Sequence, residues 1–151
     1  MRHLLLSLAA ALALFQTALA SDPSWLTDLP KARSQAKAEG KMVLLDFTGS
    51  DFCPPCIRLA KEIFPSKAFT DYAKQRLVLV EVDFPAKKKQ SPELKAANEA
   101  LQKEFKVDGY PTLILLAADG KKLGEVEFDL FDAGPKDLIA AIEKLAKKAK
   151  Q

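Results

Sequence analysis

Met42-Val43-Leu44-Leu45-Asp46-Phe47-Thr48-Gly49-Ser50-Asp51-Phe52-Cys53-Pro54-Pro55-Cys56 is the stretch on which the fold turns. Its first six residues are apolar apart from one acid, Asp46. A run this short and this rich in Val, Leu and Phe reads as a strand buried on both faces. Thr48 to Asp51 is turn chemistry, and it delivers the chain to the only two cysteines of the protein. From about Pro55 a helix is predicted through Ile57, Leu59, Ala60 and Ile63, interrupted near Pro65-Ser66 and resumed through Phe69, Tyr72 and Ala73. The dithiol therefore falls where a buried strand hands over to a helix.

Working outward, Lys31 to Glu39 has good helix propensity and Gly40 is a natural stop. Ser21 to Pro30 is a lead-in from which Trp25 and Leu26 pack on the domain. Leu77 to Val82 is a second buried strand, ended by Asp83-Phe84-Pro85. Lys87-Lys88-Lys89 is a short basic run in a loop, read as a solvated face. Ser91-Pro92 supplies a cap and a first-turn proline for an amphipathic helix carrying Leu94, Ala97, Leu101 and Phe105. Leu113 to Ala117 is a third strand. Asp119-Gly120 signals a hairpin into a fourth strand, from Lys122 to Phe128. Pro135 to Lys150 is a closing helix with Leu138, Ile139, Ile142 and Leu145 on one face. A βαβ unit joined through a helix to a ββα unit predicts an α/β fold: a central mixed four-stranded sheet flanked by helices, with an extra helix at the N-terminus. The cysteines then lie at the carboxyl end of the first strand, where open α/β sheets place their chemistry.

The chain of 151 residues suffices for one substantial core. Lys and Arg (23) exceed Asp and Glu (20) by three, too small and dispersed a surplus to point to nucleic acid or an anionic membrane. Residues 1–20 read as a signal peptide: Arg2 as the positive start, Leu4 to Phe15 as the apolar stretch, and Ala18-Leu19-Ala20 as the cleavage pattern. The apolar run is shorter than the ~20 residues of a membrane-spanning helix. Cleavage after Ala20 leaves one domain over 21–151 in the periplasm or outside the cell, where a cysteine pair can be oxidised. No conspicuous spare apolar face remains, so a monomer is expected.

Three kinds of chemistry suit the pair. A redox dithiol needs a stabilised thiolate, which a helix N-terminus favours. Cys53, at the cap, is then the exposed attacking sulfur, and Cys56, one turn in, resolves the mixed disulfide. Pro54 and Pro55 lack backbone N–H groups, so two potential donors to the Cys53 sulfur are missing. That predicts a Cys53 pKa nearer ~7 than the strongly oxidising extreme of ~3.5. A structural staple is the second reading, but closing so short a loop contributes only about 2 kcal/mol, against about 4.7 for a hundred-residue loop. The third is a redox-inert or metal-handling module using the two thiolates for Cu or Zn. A closed zinc site wants four ligands, however, and the single histidine, His3, lies in the leader.

With the pre-cysteine strand, the Cys53-Pro54-Pro55-Cys56 motif and Gly109-Tyr110-Pro111-Thr112 in view, the chain resembles the thioredoxin superfamily. It is similar above all to exported bacterial thioredoxin-like proteins with a Phe-Thr-Gly-Ser-Asp-aromatic-Cys-x-x-Cys segment. The resemblance covers about Lys31 to Lys148. It implies a thioredoxin fold and a thiol–disulfide oxidoreductase whose redox group is the Cys53–Cys56 disulfide itself, with no other cofactor and no metal. Cys53 attacks and Cys56 resolves, while Asp46 is the buried acid that relays the Cys56 proton. Phe52 shields the site, Pro111 is the cis-proline packed against the disulfide, and Tyr110 stands at the substrate surface. Pro54 and Pro55 tune the helix mouth, and a proline just before Cys56 resembles the reducing members. The implied partners are exported protein thiols and disulfides and a membrane thiol reductase as electron donor. Three departures stand out. Pro-Pro replaces the usual Gly-Pro, and the Asp46–Cys53 segment is one residue longer. Leu79 falls about where thioredoxins place a lysine near their acid.

Overall fold

A computed structural model describes Pro23 to Ala149 and orders a five-stranded sheet, β1-β3-β2-β4-β5. The strands are β1 (Trp25–Leu26), β2 (Met42–Thr48), β3 (Leu77–Asp83), β4 (Thr112–Leu116) and β5 (Lys122–Glu125). β1, β3 and β2 run parallel; β4 is antiparallel to β2 and β5 to β4. The helices are α1 (Leu29–Glu39), α2 (Pro54–Arg58), α3 (Lys67–Arg76), α4 (Pro92–Phe105) and α5 (Pro135–Lys148), with a π-helical segment at Leu59–Ile63. The predicted leader, residues 1–20, and the predicted cleavage after Ala20 lie outside the described residues.

The pleat of β2 sorts its side chains into two cores. Val43, Leu45 and Phe47 join Val78, Val80, Val82 and the buried residues of α1 and α4 on one face. Leu44 joins Leu77, Leu79, Phe69 of α3 and Leu138 and Ile142 of α5 on the other. Asp46 falls on this second face by alternation, an ionisable group among apolar neighbours.

The four-stranded expectation is corrected at the amino end. Trp25 and Leu26 pair with Leu79 and Val80, and the Trp25 ring packs on Phe64 at 4.7 Å. A two-residue strand is enough to cover the otherwise bare edge of β3. α1 starts two residues before the predicted Lys31 because the Asp28 carboxylate caps it, accepting the Lys31 N–H at 2.9 Å. It ends at Gly40, whose φ of 64° is the left-handed stop. β5 ends three residues early. A bulge at Leu115/Leu116 and the φ of 148° at Gly124 twist it, and only the Val126 N–H continues the ladder, to the Leu113 carbonyl. Gly124 also allows α5 to approach, because a Cβ there would stand 3.1 Å from Leu145 Cδ1.

Candidate active site

Both cysteines hang on the turn that ends β2. The Gly49 carbonyl accepts the N–H groups of Phe52 and Cys53 at 3.3 and 3.0 Å, folding the turn tightly. A Cβ on Gly49 would meet the Phe52 ring at 2.6 Å, so the ring lies against bare backbone. Cys53 is the N-cap of α2, in extended conformation, with Pro54 and Pro55 in the first turn. Cys53 and Cys56 form a disulfide with Cα atoms 5.2 Å apart. The Cys53 side chain makes no cap hydrogen bond, while the Gly49 N–H reaches Cys56 Sγ at 3.5 Å.

Cys53 is less open than its place at the cap suggested: it is 6 % exposed, against 1 % for Cys56. The cover comes from Tyr110, whose carbonyl oxygen lies 3.5 Å from Cys53 Sγ. The Tyr110–Pro111 peptide is cis. Tyr110 is held by stacking on Phe84 (5.1 Å, 18°), by an edge contact with Phe52 (6.5 Å, 77°) and by the Gln102 amide donating to its hydroxyl at 3.0 Å. Phe52, Tyr110 and Phe84 thus form an aromatic collar beside the sulfurs, with Phe52 half exposed.

Asp46 lies on the sheet face that also carries the continuation of α2, and it is buried, 5 % exposed. Its Oδ1 has no hydrogen-bond partner. Burial first, then the charges of Glu81 and Asp83, push its pKa from 3.8 up to about 8. The register pairs Asp46 with Glu81, whereas Leu79 pairs with Leu44, so the neighbour expected at Leu79 is corrected to Glu81. The offset is two residues along β3, which keeps the face and changes the chemistry from apolar to acidic.

Several supporting residues escaped the sequence reading. The Asp83 carboxylate accepts both the Ser50 N–H (3.0 Å) and its hydroxyl (2.6 Å). The Asp51 carboxylate accepts the N–H groups of Ala86, Lys87 and Lys88, each at 2.8 Å, and those bonds hold its pKa below the usual carboxylate value. Asp83 and Asp51 together clamp the redox turn to the basic loop. Arg58, two residues past Cys56, donates to the Leu130 and Ala133 carbonyls and steadies the loop that exposes Phe131. Turn-forming Ser and Asp were legible as types, but their distant backbone partners carry no local signal. Among the described residues no group of three His, Cys, Asp or Glu side chains could hold a metal ion.

A thioredoxin fold with a Cys-Pro-Pro-Cys disulfide at the mouth of α2 and a cis-proline against it defines a class of redox-active thioredoxin-fold proteins. The profile of the thioredoxin-like domain family matches residues 29–133, and the chain belongs to that family. It is 38 % identical over 99 residues to the disulfide bond reductase DsbH of Chlamydia pneumoniae. It is 30 % identical over 99 residues to the thioredoxin-related protein DsbJ of the same organism. Each match spans 66 % of this chain, but only 60 % of DsbH and 28 % of DsbJ. A solved structure of a DsbH oxidoreductase superposes with a TM-score of 0.76 at 31 % identity, over 91 % of this chain and 94 % of that one.

Proposed function

We propose that the protein is an exported thiol–disulfide oxidoreductase that reduces disulfides in other exported proteins. The observation that carries this reading is the Cys53–Cys56 disulfide at the start of α2, covered on its Cys53 side by the carbonyl before Pro111. In the reduced state the Cys53 thiolate attacks one sulfur of a substrate disulfide and releases the first substrate thiolate, leaving a mixed disulfide. Cys56 then gives up its proton to Asp46 and attacks Cys53 Sγ, releasing the second thiolate. Two electrons pass from the dithiol to the substrate, which leaves as two thiols, and the protein returns to its disulfide. Substrate main chain lies extended along the Tyr110-Pro111 loop, with Phe52 over the exchanging sulfurs.

The reducing direction is supported by Pro55 before Cys56 and by the name of the relative DsbH. A reductase outside the cytosol needs re-reduction, for which a membrane thiol reductase is the partner class. Export rests on the Arg2, Leu4–Phe15 and Ala18-Leu19-Ala20 pattern. Cell fractionation with N-terminal sequencing tests it, and a mature start at Ser21 is expected.

The decisive experiment is a trap. Cys56→Ser should accumulate a mixed disulfide with substrate proteins, and Cys53→Ser should accumulate none. A Cys56→Ser protein that forms no adduct with a disulfide substrate would refute the exchange activity.

A further inference from the structure

Asp46 and Glu81 are paired across the parallel strands β2 and β3, so their side chains rise side by side from the same sheet face. Both line one cavity of about 710 Å³ between that face and α3. Its apolar walls include Trp25, Phe64, Leu79 and Ala60 of the π-helical segment. The cavity is open to solvent. Asp46 lines this space as a buried residue, and its Oδ1 has no hydrogen-bond partner. We propose that Glu81 is a positioning residue for the resolving step: it makes the neighbouring Asp46 carboxylate a strong enough base to take the Cys56 proton, and it passes that proton to the water of the cavity. This rests on the Asp46 role proposed above.

The requirement is one of matching. Proton transfer is efficient when donor and acceptor have similar affinities, and a free thiol titrates near ~8.5. An ordinary carboxylate is a base several orders of magnitude too weak. A second carboxylate alongside raises the proton affinity of the first, because two like charges side by side disfavour ionising both. Burial and the Glu81 charge act together on Asp46, and burial raises the proton affinity of Glu81 as well.

The other charged groups around the pair do not take this role. Asp83 raises Asp46 to a lesser degree than Glu81, and its two oxygens are already engaged by Ser50. Lys67 is paired with Asp71 at the cavity wall, and Lys74 lines the same wall of α3. Lys88 reaches Ser50 Oγ at 3.2 Å from the opposite loop and lowers the proton affinity of Glu81. Among the described acidic residues that line the cavity, Glu81 is the one paired with Asp46 across the strands. The balance closes: the Cys56 S–H bond breaks, an Asp46 O–H bond forms, and the proton leaves by way of Glu81 and cavity water as Cys56 Sγ bonds to Cys53.

The test follows the Asp46 carboxyl carbon by NMR titration in the reduced protein, for wild type, Glu81→Gln and Glu81→Asp. It is paired with the pH profile of resolution from a preformed Cys53 mixed disulfide. In Glu81→Gln the Asp46 midpoint and the inflection of the resolving rate should fall together by about one pH unit. The high-pH plateau should fall severalfold, and Glu81→Asp should restore both. An Asp46 midpoint unchanged in Glu81→Gln overturns the proposal and leaves the Asp46 role intact. A wild-type resolving rate in Asp46→Asn overturns the Asp46 role, and this proposal with it.

Discussion

Asp46 is a carboxyl group that the folded protein keeps mostly protonated at neutral pH, with a minority carboxylate form left to act as a base, and the consequence for stability has a definite sign. Its native pKa, about 8, lies above the ordinary 3.8 it has in the unfolded chain. Between those values the native state binds the extra proton, so unfolding becomes easier as pH rises. The stabilisation is complete below about pH 4 and is lost progressively up to about pH 8. Denaturant unfolding of the oxidised protein at pH 5, 7 and 8.5 should show this decline. Asp46→Asn should flatten it, ending more stable than wild type at pH 8.5 by something on the order of 1–3 kcal/mol. A wild-type stability that rises over this interval would contradict the buried, unpartnered state of Asp46. At the same scale, thiol titration should place Cys53 near ~7, because Pro54 and Pro55 cannot donate to its sulfur. These residues could be picked out before the fold was known, being the single pair of cysteines and the acid in the buried run that leads into them. Glu81 could not, because its importance depends on a strand register that local composition does not encode.

Among the elements, the turn before Cys53 is held in place by a loop thirty-five residues further on. Asp51 gathers three successive amides of the Ala86–Lys88 segment, while Ser50 is held by Asp83 at the end of β3. The bonds keep the Asp51 carboxylate ionised below the usual range, so the clamp persists in mild acid and opens only as pH falls through its depressed pKa. Asp51→Ala should speed hydrogen exchange at Ala86, Lys87 and Lys88 by at least tenfold while leaving the core of β2 protected. Equal exchange in both proteins would mean the clamp carries nothing. At the far side of the sheet, Gly124→Ala should cost about 1–3 kcal/mol, since its φ of 148° excludes a side chain and Leu145 stands 3.1 Å away. Thermal unfolding checks it. The major elements were legible because their signals are local: apolar runs for β2 and β3, Ser-Pro for α4, Asp-Gly for the β4–β5 hairpin. β1 was hidden because two residues carry no period. The π-helical turn was hidden because hydrophobic spacing does not separate it from an α-helix.

For the whole molecule, the direction of electron flow is a question of which redox state the fold prefers. Closing the four-residue loop contributes about 2 kcal/mol through the unfolded chain. Whether the native protein keeps that gain depends on what the reduced thiols receive in exchange. The contacts at the sulfurs are sparse: one N–H, from Gly49, at Cys56, and one carbonyl, of Tyr110, at Cys53. Pro54 and Pro55 remove the amides that would best solvate a thiolate. A reduced state with so little help is not strongly preferred, so the disulfide form should be the more stable one, which is the condition for a reducing protein. Two measurements check this through one cycle. Equilibration with dithiothreitol or glutathione should give a potential near −270 mV, the thioredoxin range. Unfolding of the oxidised and reduced forms should give a stability difference of about 2 kcal/mol in favour of the disulfide. The two must agree, because about 30 mV in a two-electron couple corresponds to about 1.4 kcal/mol. A reduced form more stable than the oxidised one, with a potential near −120 mV, would reverse the direction and make the protein an oxidant of exported thiols.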